Sequence, residues 1–228
     1  MIFYIYSYFS YILFEYVFRK KLFKHACRSK SLHECKWKKG KEHWLLFSPG
    51  YWFARYYKNK IKLFCPEAEA ELRKSYLKSM NAWNLWITVA ISVLYLVLSN
   101  FEYEFVQVFA GFLLFRFFSR MLEVSYAFVS DVLSQKNRSN LSRYERVRLA
   151  SSSYIELFFL SAPVYLIFNL VCDPLTAFTA SLSVGTLTNV GFLVQDRASI
   201  LVNIAFVQVL VTMSLIIFSL AMYLSREK

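Results

Sequence analysis

Residues 173–192 read DPLTAFTASLSVGTLTNVGF and lie between two long apolar segments. A helix that crosses a bilayer needs about 20 predominantly apolar residues. This stretch opens on Asp173-Pro174 and closes on Thr186-Leu187-Thr188-Asn189-Val190-Gly191-Phe192, so its second half is too polar for a crossing. It is expected to enter the apolar layer and turn back. Asp173 is a good N-cap and Pro174 suits the first helical position, which predicts a helix from there to about Gly185. Such a helix is about 18 Å long and ends near mid-membrane, with roughly half a negative charge of macrodipole at its C-terminal end. The backbone beyond it cannot face lipid, because unsatisfied amides there cost several kcal/mol each. Thr, Asn and Gly suit an extended strand whose carbonyls face an aqueous axis, and one chain supplies one wall of that axis.

Working outward, the composition is that of a helical membrane protein: 57% hydrophobic and 19% aromatic residues, with five glycines and four prolines. The net charge is +12, and its placement matters more than its size. Of the 27 Lys and Arg, 17 lie between Arg19 and Lys78, seven between Arg116 and Arg148, and the last three are Arg197, Arg226 and Lys228. These blocks alternate with apolar segments as the positive-inside rule requires. The reading is an all-α, multi-pass integral membrane protein with residues 19–80, 119–152 and the C-terminus cytoplasmic. Four spans are expected, at about 82–98, 105–118, 154–171 and 198–223, with a re-entrant helix between the third and fourth.

Four regions follow. Residues 1–18, MIFYIYSYFSYILFEYVF, form an aromatic helix that either lies in the interface or spans briefly. Residues 19–80 are basic and aromatic, with Pro49-Gly50 and Cys65-Pro66 as breakers. That composition suits anionic lipid headgroups better than nucleic acid in a chain with several spans. Residues 81–150 hold the first transmembrane hairpin and an inner connection, and residues 151–228 hold the re-entrant unit with its two flanking spans.

Within the spans, Arg116 and Arg120 are expected to snorkel from the inner end of the second helix, and two charges are too few for a voltage sensor. Glu156 is expected to pair near the inner face with Arg146 or Arg148. Pro163 should kink the third span. On a helical wheel of the fourth span, Gln208, Thr212 and Ser219 form a polar stripe, with helix–helix hydrogen bonding as the alternative to a lining role. Cys27, Cys35, Cys65 and Cys172 show no disulfide framework. The pairs His25/Cys27 and His33/Cys35 depart from zinc spacings, so no metal site is expected. No nucleophile–base pair or acid pair suggests an enzyme.

The run Thr186-Leu187-Thr188-Asn189-Val190-Gly191-Phe192, after a short capped helix and between two spans, resembles the pore module of the potassium-channel superfamily, whose pattern is T-L-T-T-V-G-Y-G or T-x-G-F-G. The resemblance covers residues 150–228. It implies a selectivity filter of Thr188, Asn189, Val190, Gly191 and Phe192, a pore helix marked by Asp173, Pro174 and Thr186, and an inner helix lining the pore with Gln208, Thr212 and Ser219. It further implies a homotetramer passing a monovalent cation, potassium being the family's ion, with no other cofactor. The chain departs from the pattern at Asn189 and Leu193, where the family has Thr and Gly, which leaves selectivity open. A different class of function is a membrane-anchored assembly or sensor module whose basic N-terminal region recruits a cytosolic partner.

Overall fold

In a computed structural model the described residues are 2–27, 43–64, 68–101, 104–133, 141–191 and 199–225. His33, Cys35, Cys65, Pro66, Phe192 and Leu193 fall outside them. Among the described residues there are eight helices: α1 Ile2–Ala26, α2 His43–Phe47, α3 Pro49–Phe64, α4 Glu69–Leu98, α5 Glu104–Leu133, α6 Arg143–Ile167, α7 Pro174–Gly185 and α8 Ser199–Ser225. Three of them, α4, α5 and α6, are long and apolar enough to cross a membrane. The described part of α8, Val202–Ile217, is also apolar.

Helix α4 begins with Glu69 and Glu71 in its first turn, where acids favour the positive end of the macrodipole. It runs for 30 residues without interruption, so the helix that carries the expected span at about 82–98 starts well before it, at Glu69. α6 starts in a complete capping box: Ser142 Oγ accepts from the Glu145 N–H (3.2 Å), and the Ser142 N–H donates to Glu145 Oε2 (2.8 Å). Pro163 lies inside α6, which continues past it to Ile167. Glu69, Leu133 and Arg143 lie at one end of the bundle, the basic end.

Burial is inverted relative to a water-soluble bundle. On α4 the buried residues include Asn84, Thr88 and Ser92, at four-residue spacing, while Trp83, Trp86, Leu94 and Val97 are exposed. On α1, Ser7, Tyr11, Glu15 and Arg19 are fully buried at the same spacing, while Phe3, Ile5, Tyr6, Phe9 and Leu13 face outward. Residues four apart share a helix face. Polar groups turned to protein and apolar groups turned outward are what a lipid solvent requires.

Two apolar cores result. The larger joins α4, α5, α6, α7 and α8 around Leu113, Phe117, Leu157, Leu160 and Tyr165. The smaller lies at the basic end, where Leu22 and Phe23 of α1 meet Trp52, Phe53, Tyr57 and Ile61 of α3 and Tyr76 and Met80 of α4. This packing places Trp52, Phe53 and Tyr57, from the basic and aromatic residues 19–80, in the core. It also moves the end of the first helix from Phe18 to Ala26, because Arg19 is drawn into the bundle instead of marking its edge.

Pro49-Gly50 opens a helix and so does more than break the chain. Ser48 Oγ accepts from the Tyr51 N–H (3.4 Å) and lies 3.0 Å from the Ser119 carbonyl, to which it donates. A Cβ on Gly50 would lie 2.9 Å from Glu123 Oε2 and 3.2 Å from Arg19 Nη2, so glycine allows α3 to seat on that ion pair.

Candidate functional site

The helix expected after Asp173 forms with the bounds the capping residues imply. Asp173 Oδ1 accepts from the Thr176 N–H at 2.8 Å, Pro174 is the first helical residue, and the helix ends at Gly185. It folds back along α6 on a face of small residues, with Ala177, Ala180, Ser181, Val184 and Gly185 buried. Small residues let two helix backbones approach closely. Ser181 Oγ donates to the Phe158 carbonyl (2.8 Å), Tyr154 Oη donates to the Gly185 carbonyl (2.9 Å), and a Cβ on Gly185 would enter the Phe158 ring. Phe158 and Tyr154 precede the end of α6 by nine and thirteen residues, which places the tip of α7 roughly 14–20 Å below that end. That is about half the thickness of a bilayer's hydrocarbon core.

The residues after α7 form a helix stop. The Leu187 N–H bonds to the Val184 carbonyl (3.1 Å) and the Thr188 N–H to the Ser183 carbonyl (3.0 Å), with Leu187 at φ 61°. This is the Schellman pattern, built here on a leucine where glycine would be unstrained. The Thr186 and Thr188 hydroxyls also bond to the Leu182 and Ser183 carbonyls (2.9 and 3.3 Å). Residues 186–188 are therefore a capped turn, where an extended strand was expected. Thr186, Thr188, Asn189 and Gly191 are exposed and Val190 is half-buried. A Cβ on Gly191 would meet nothing within 4 Å.

On α8, Gln208 and Thr212 are both fully buried inside the single chain. The Gln208 amide donates to the Ser181 carbonyl (3.0 Å), and its oxygen accepts from the Tyr165 hydroxyl. Gln208 thus braces α6, α7 and α8 against one another; in this conformation it does not line an open surface. Ser219 lies in α8, with its side chain outside the described part.

A second constellation was missed by sequence reasoning. Arg116 and Arg120 do not snorkel: they are 0% and 3% exposed, as deep as Glu15, Arg19 and Glu156 at 0%. With Glu123 they close a ring of six alternating charges. Arg116 meets Glu15 at 3.2 Å, Glu15 meets Arg19 at 2.6 Å, and Arg19 meets Glu123 at 2.8 Å. Glu123 meets Arg120 at 2.6 Å, Arg120 grips Glu156 with two nitrogens at 2.6 and 2.8 Å, and Glu156 returns to Arg116 at 3.7 Å. Three cations and three anions leave the ring neutral.

The ring draws on α1, α5 and α6, and α4 lines it with neutral groups. Thr88 Oγ1 accepts from Arg116 Nη2 (3.0 Å) and lies 3.1 Å from Glu156 Oε1, to which it donates. Met80 Sδ accepts from Arg19 Nη1 (2.8 Å). The partner of Glu156 is thus Arg120, with Arg116 behind it, in place of the expected Arg146 or Arg148. An isolated charge at this depth is costly, and each member of the ring is made tolerable by two opposite neighbours. The signal was present as four-residue polar spacing on the first two apolar helices, 7-11-15-19 and 84-88-92.

Helix α6 connects the two constellations, since Glu156 lies between Tyr154 and Phe158 in sequence. Comparison with family models, with curated proteins and with solved structures found no match.

Proposed function

We propose that this chain is one subunit of a homotetrameric cation channel, with α6, α7 and α8 as its pore unit and α1, α4 and α5 as its frame. In this reading the basic end is cytoplasmic, α8 is a fourth crossing, and α7 enters from the outside. The observation that carries the proposal is a half-length helix, capped at both ends and braced by Gln208, whose tip delivers the run Thr186 to Gly191, with Thr186, Thr188 and Asn189 exposed, to mid-bundle depth. Polar backbone at that depth needs water or another chain beside it. Copies around an axis provide both.

The neutral ring gives α6 a fixed register on its frame, so that the helix supporting α7 does not drift. Asn189 and Leu193 stand where the potassium-channel pattern has Thr and Gly, so the proposal is of a cation pore and leaves potassium selectivity aside. The alternative, a basic arm of residues 19–80 that recruits a partner, has less support because the aromatic face of α3 is packed into the chain's own core.

Purified protein in planar bilayers should pass cation current that Gly191→Ala or Asn189→Ala changes, and particle images should show fourfold symmetry. Silent wild-type protein together with a monomeric or dimeric particle would sink the reading.

A further inference from the structure

A cavity of about 520 Å³ opens at the basic end between α3, α4, α5 and α6. This lies within the size range of small-molecule sites, roughly 300–1,000 Å³. Among the described residues, five cationic side chains line it, Arg55, Lys58, Arg73, Arg120 and Arg146, against one carboxylate, Glu123. Glu123 and Arg120 belong to the neutral ring and form its floor. The other four cations come from three different helices and converge above that floor.

Arg55 and Arg73 carry donors that are poorly matched within the chain. Arg55 Nη1 donates to a neutral phenol, Tyr51 Oη, at 3.2 Å. Arg73 reaches Glu69 with one nitrogen at 2.9 Å, while its Nε is buried without a hydrogen-bond partner. Arg146 is 5% exposed, and its Nε donates to the Leu141 carbonyl at 3.3 Å. A buried donor without a partner is costly, and like charges in a concave, low-dielectric site focus a positive potential. Planar guanidinium forks match phosphate oxygens best. Asn59, Asn81, Ser130 and Ser153 add amide and hydroxyl groups around the wall, suited to the hydroxyls of a polyol.

We infer that this cavity binds a phosphorylated polyol, held by Arg55, Lys58, Arg73 and Arg146. The chemistry is shared by a phosphorylated inositol lipid, whose headgroup would enter at the basic end of the bundle, and by the same polyol phosphate free in solution. The inference is independent of whether the chain conducts, because binding is measured without current.

The test uses full-length protein in phosphatidylcholine nanodiscs. Inositol trisphosphate is titrated calorimetrically as the soluble probe. Discs doped with phosphatidylinositol bisphosphate or with phosphatidylserine supply the lipid probes, read by native mass spectrometry and by thermal unfolding. One saturable site per chain is expected, weakened roughly tenfold or more in Arg55→Gln/Arg73→Gln. The exposed-lysine control Lys21→Gln/Lys24→Gln should change affinity by less than about twofold. Without ligand, Arg55→Gln/Arg73→Gln should unfold close to wild type, since the Arg73–Glu69 pair it loses is a partly exposed contact between residues four apart, worth less than about 1 kcal/mol. Ligand should raise the unfolding temperature of the wild type and not of that variant. Binding of both inositol probes supports the polyol phosphate itself as ligand, and binding of the doped lipid alone supports the membrane-borne source. Neither probe binding, equal loss in both double variants, or phosphatidylserine binding as tightly as the inositol lipid would each overturn the inference.

Discussion

Two faces of α6 hold their neighbours by opposite means. The face bearing Glu156 is locked by charge: a bidentate grip from Arg120, a second arginine behind it, and a hydroxyl from α4. The face bearing Tyr154 and Phe158 is locked by closeness: small residues of α7, a glycine under an aromatic ring, and two hydrogen bonds to main-chain carbonyls. Charge pairs act over several ångströms and tolerate modest shifts of geometry. Close packing fails with one added methyl. The first face suits a frame, and the second suits a helix whose tip has to be placed accurately.

Breaking one member of the charged face should have the largest effect. Glu156→Ala leaves Arg120 and Arg116 buried with too little counter-charge, and a loss of about 3–5 kcal/mol is expected. Arg120→Met combined with Glu156→Met removes both ends of the bidentate pair and should recover most of that loss, measured by thermal unfolding in nanodiscs. If the double variant is as unstable as the single, the ring does not hold α6 on its frame.

On the close-packed face, Gly185→Ala forces its methyl into Phe158 and should cost about 1–3 kcal/mol. Gln208→Leu, which strands the Tyr165 hydroxyl and the Ser181 carbonyl, should cost about 1–3 kcal/mol. Both should alter conduction as well as stability. Gly191→Ala meets open space in the single chain and should alter conduction without changing stability, a split that separates the pore run from the helix that carries it.

A gain is expected at the helix stop. Leu187 sits at φ 61°, so Leu187→Gly should stabilise the fold by about 1 kcal/mol, provided that the exposed leucine has no partner in the assembly. The smallest effect concerns pH. Hydrogen bonds from Thr176, its hydroxyl foremost and then its N–H, hold the Asp173 carboxyl below the usual aspartate range. With the folded value depressed, this contribution is fully present above about pH 4 and is lost as the pH falls through the folded value. Asp173→Asn keeps a cap and should flatten that part of the unfolding profile, as followed by circular dichroism between neutral and acid pH.

α7 was legible residue by residue, because Asp173, Pro174 and Gly185 state where a helix starts and stops through groups that act on their own backbone. The ring was not legible by the same means. Arg116 and Arg120 near a helix end satisfy a snorkelling rule that considers one side chain and its distance to the headgroups. That rule gives no weight to Glu15 on a helix a hundred residues earlier or to Glu156 on a later one. Gln208 was noticed as polar, but a wheel cannot distinguish a side chain that lines water from one that bonds to the adjacent helix.

The sequence by itself determined the all-helical class, the apolar segments, the basic end and the bounds of α7, since these depend on hydropathy, charge counts and local capping. Tertiary structure alone decided that six charges far apart in the chain neutralise one another, that the aromatic face of α3 turns inward, and that four basic side chains surround a cavity. The physical reason is range. Caps and periodicity act within a few residues, whereas the cost of burying a charge depends on which groups other helices bring beside it.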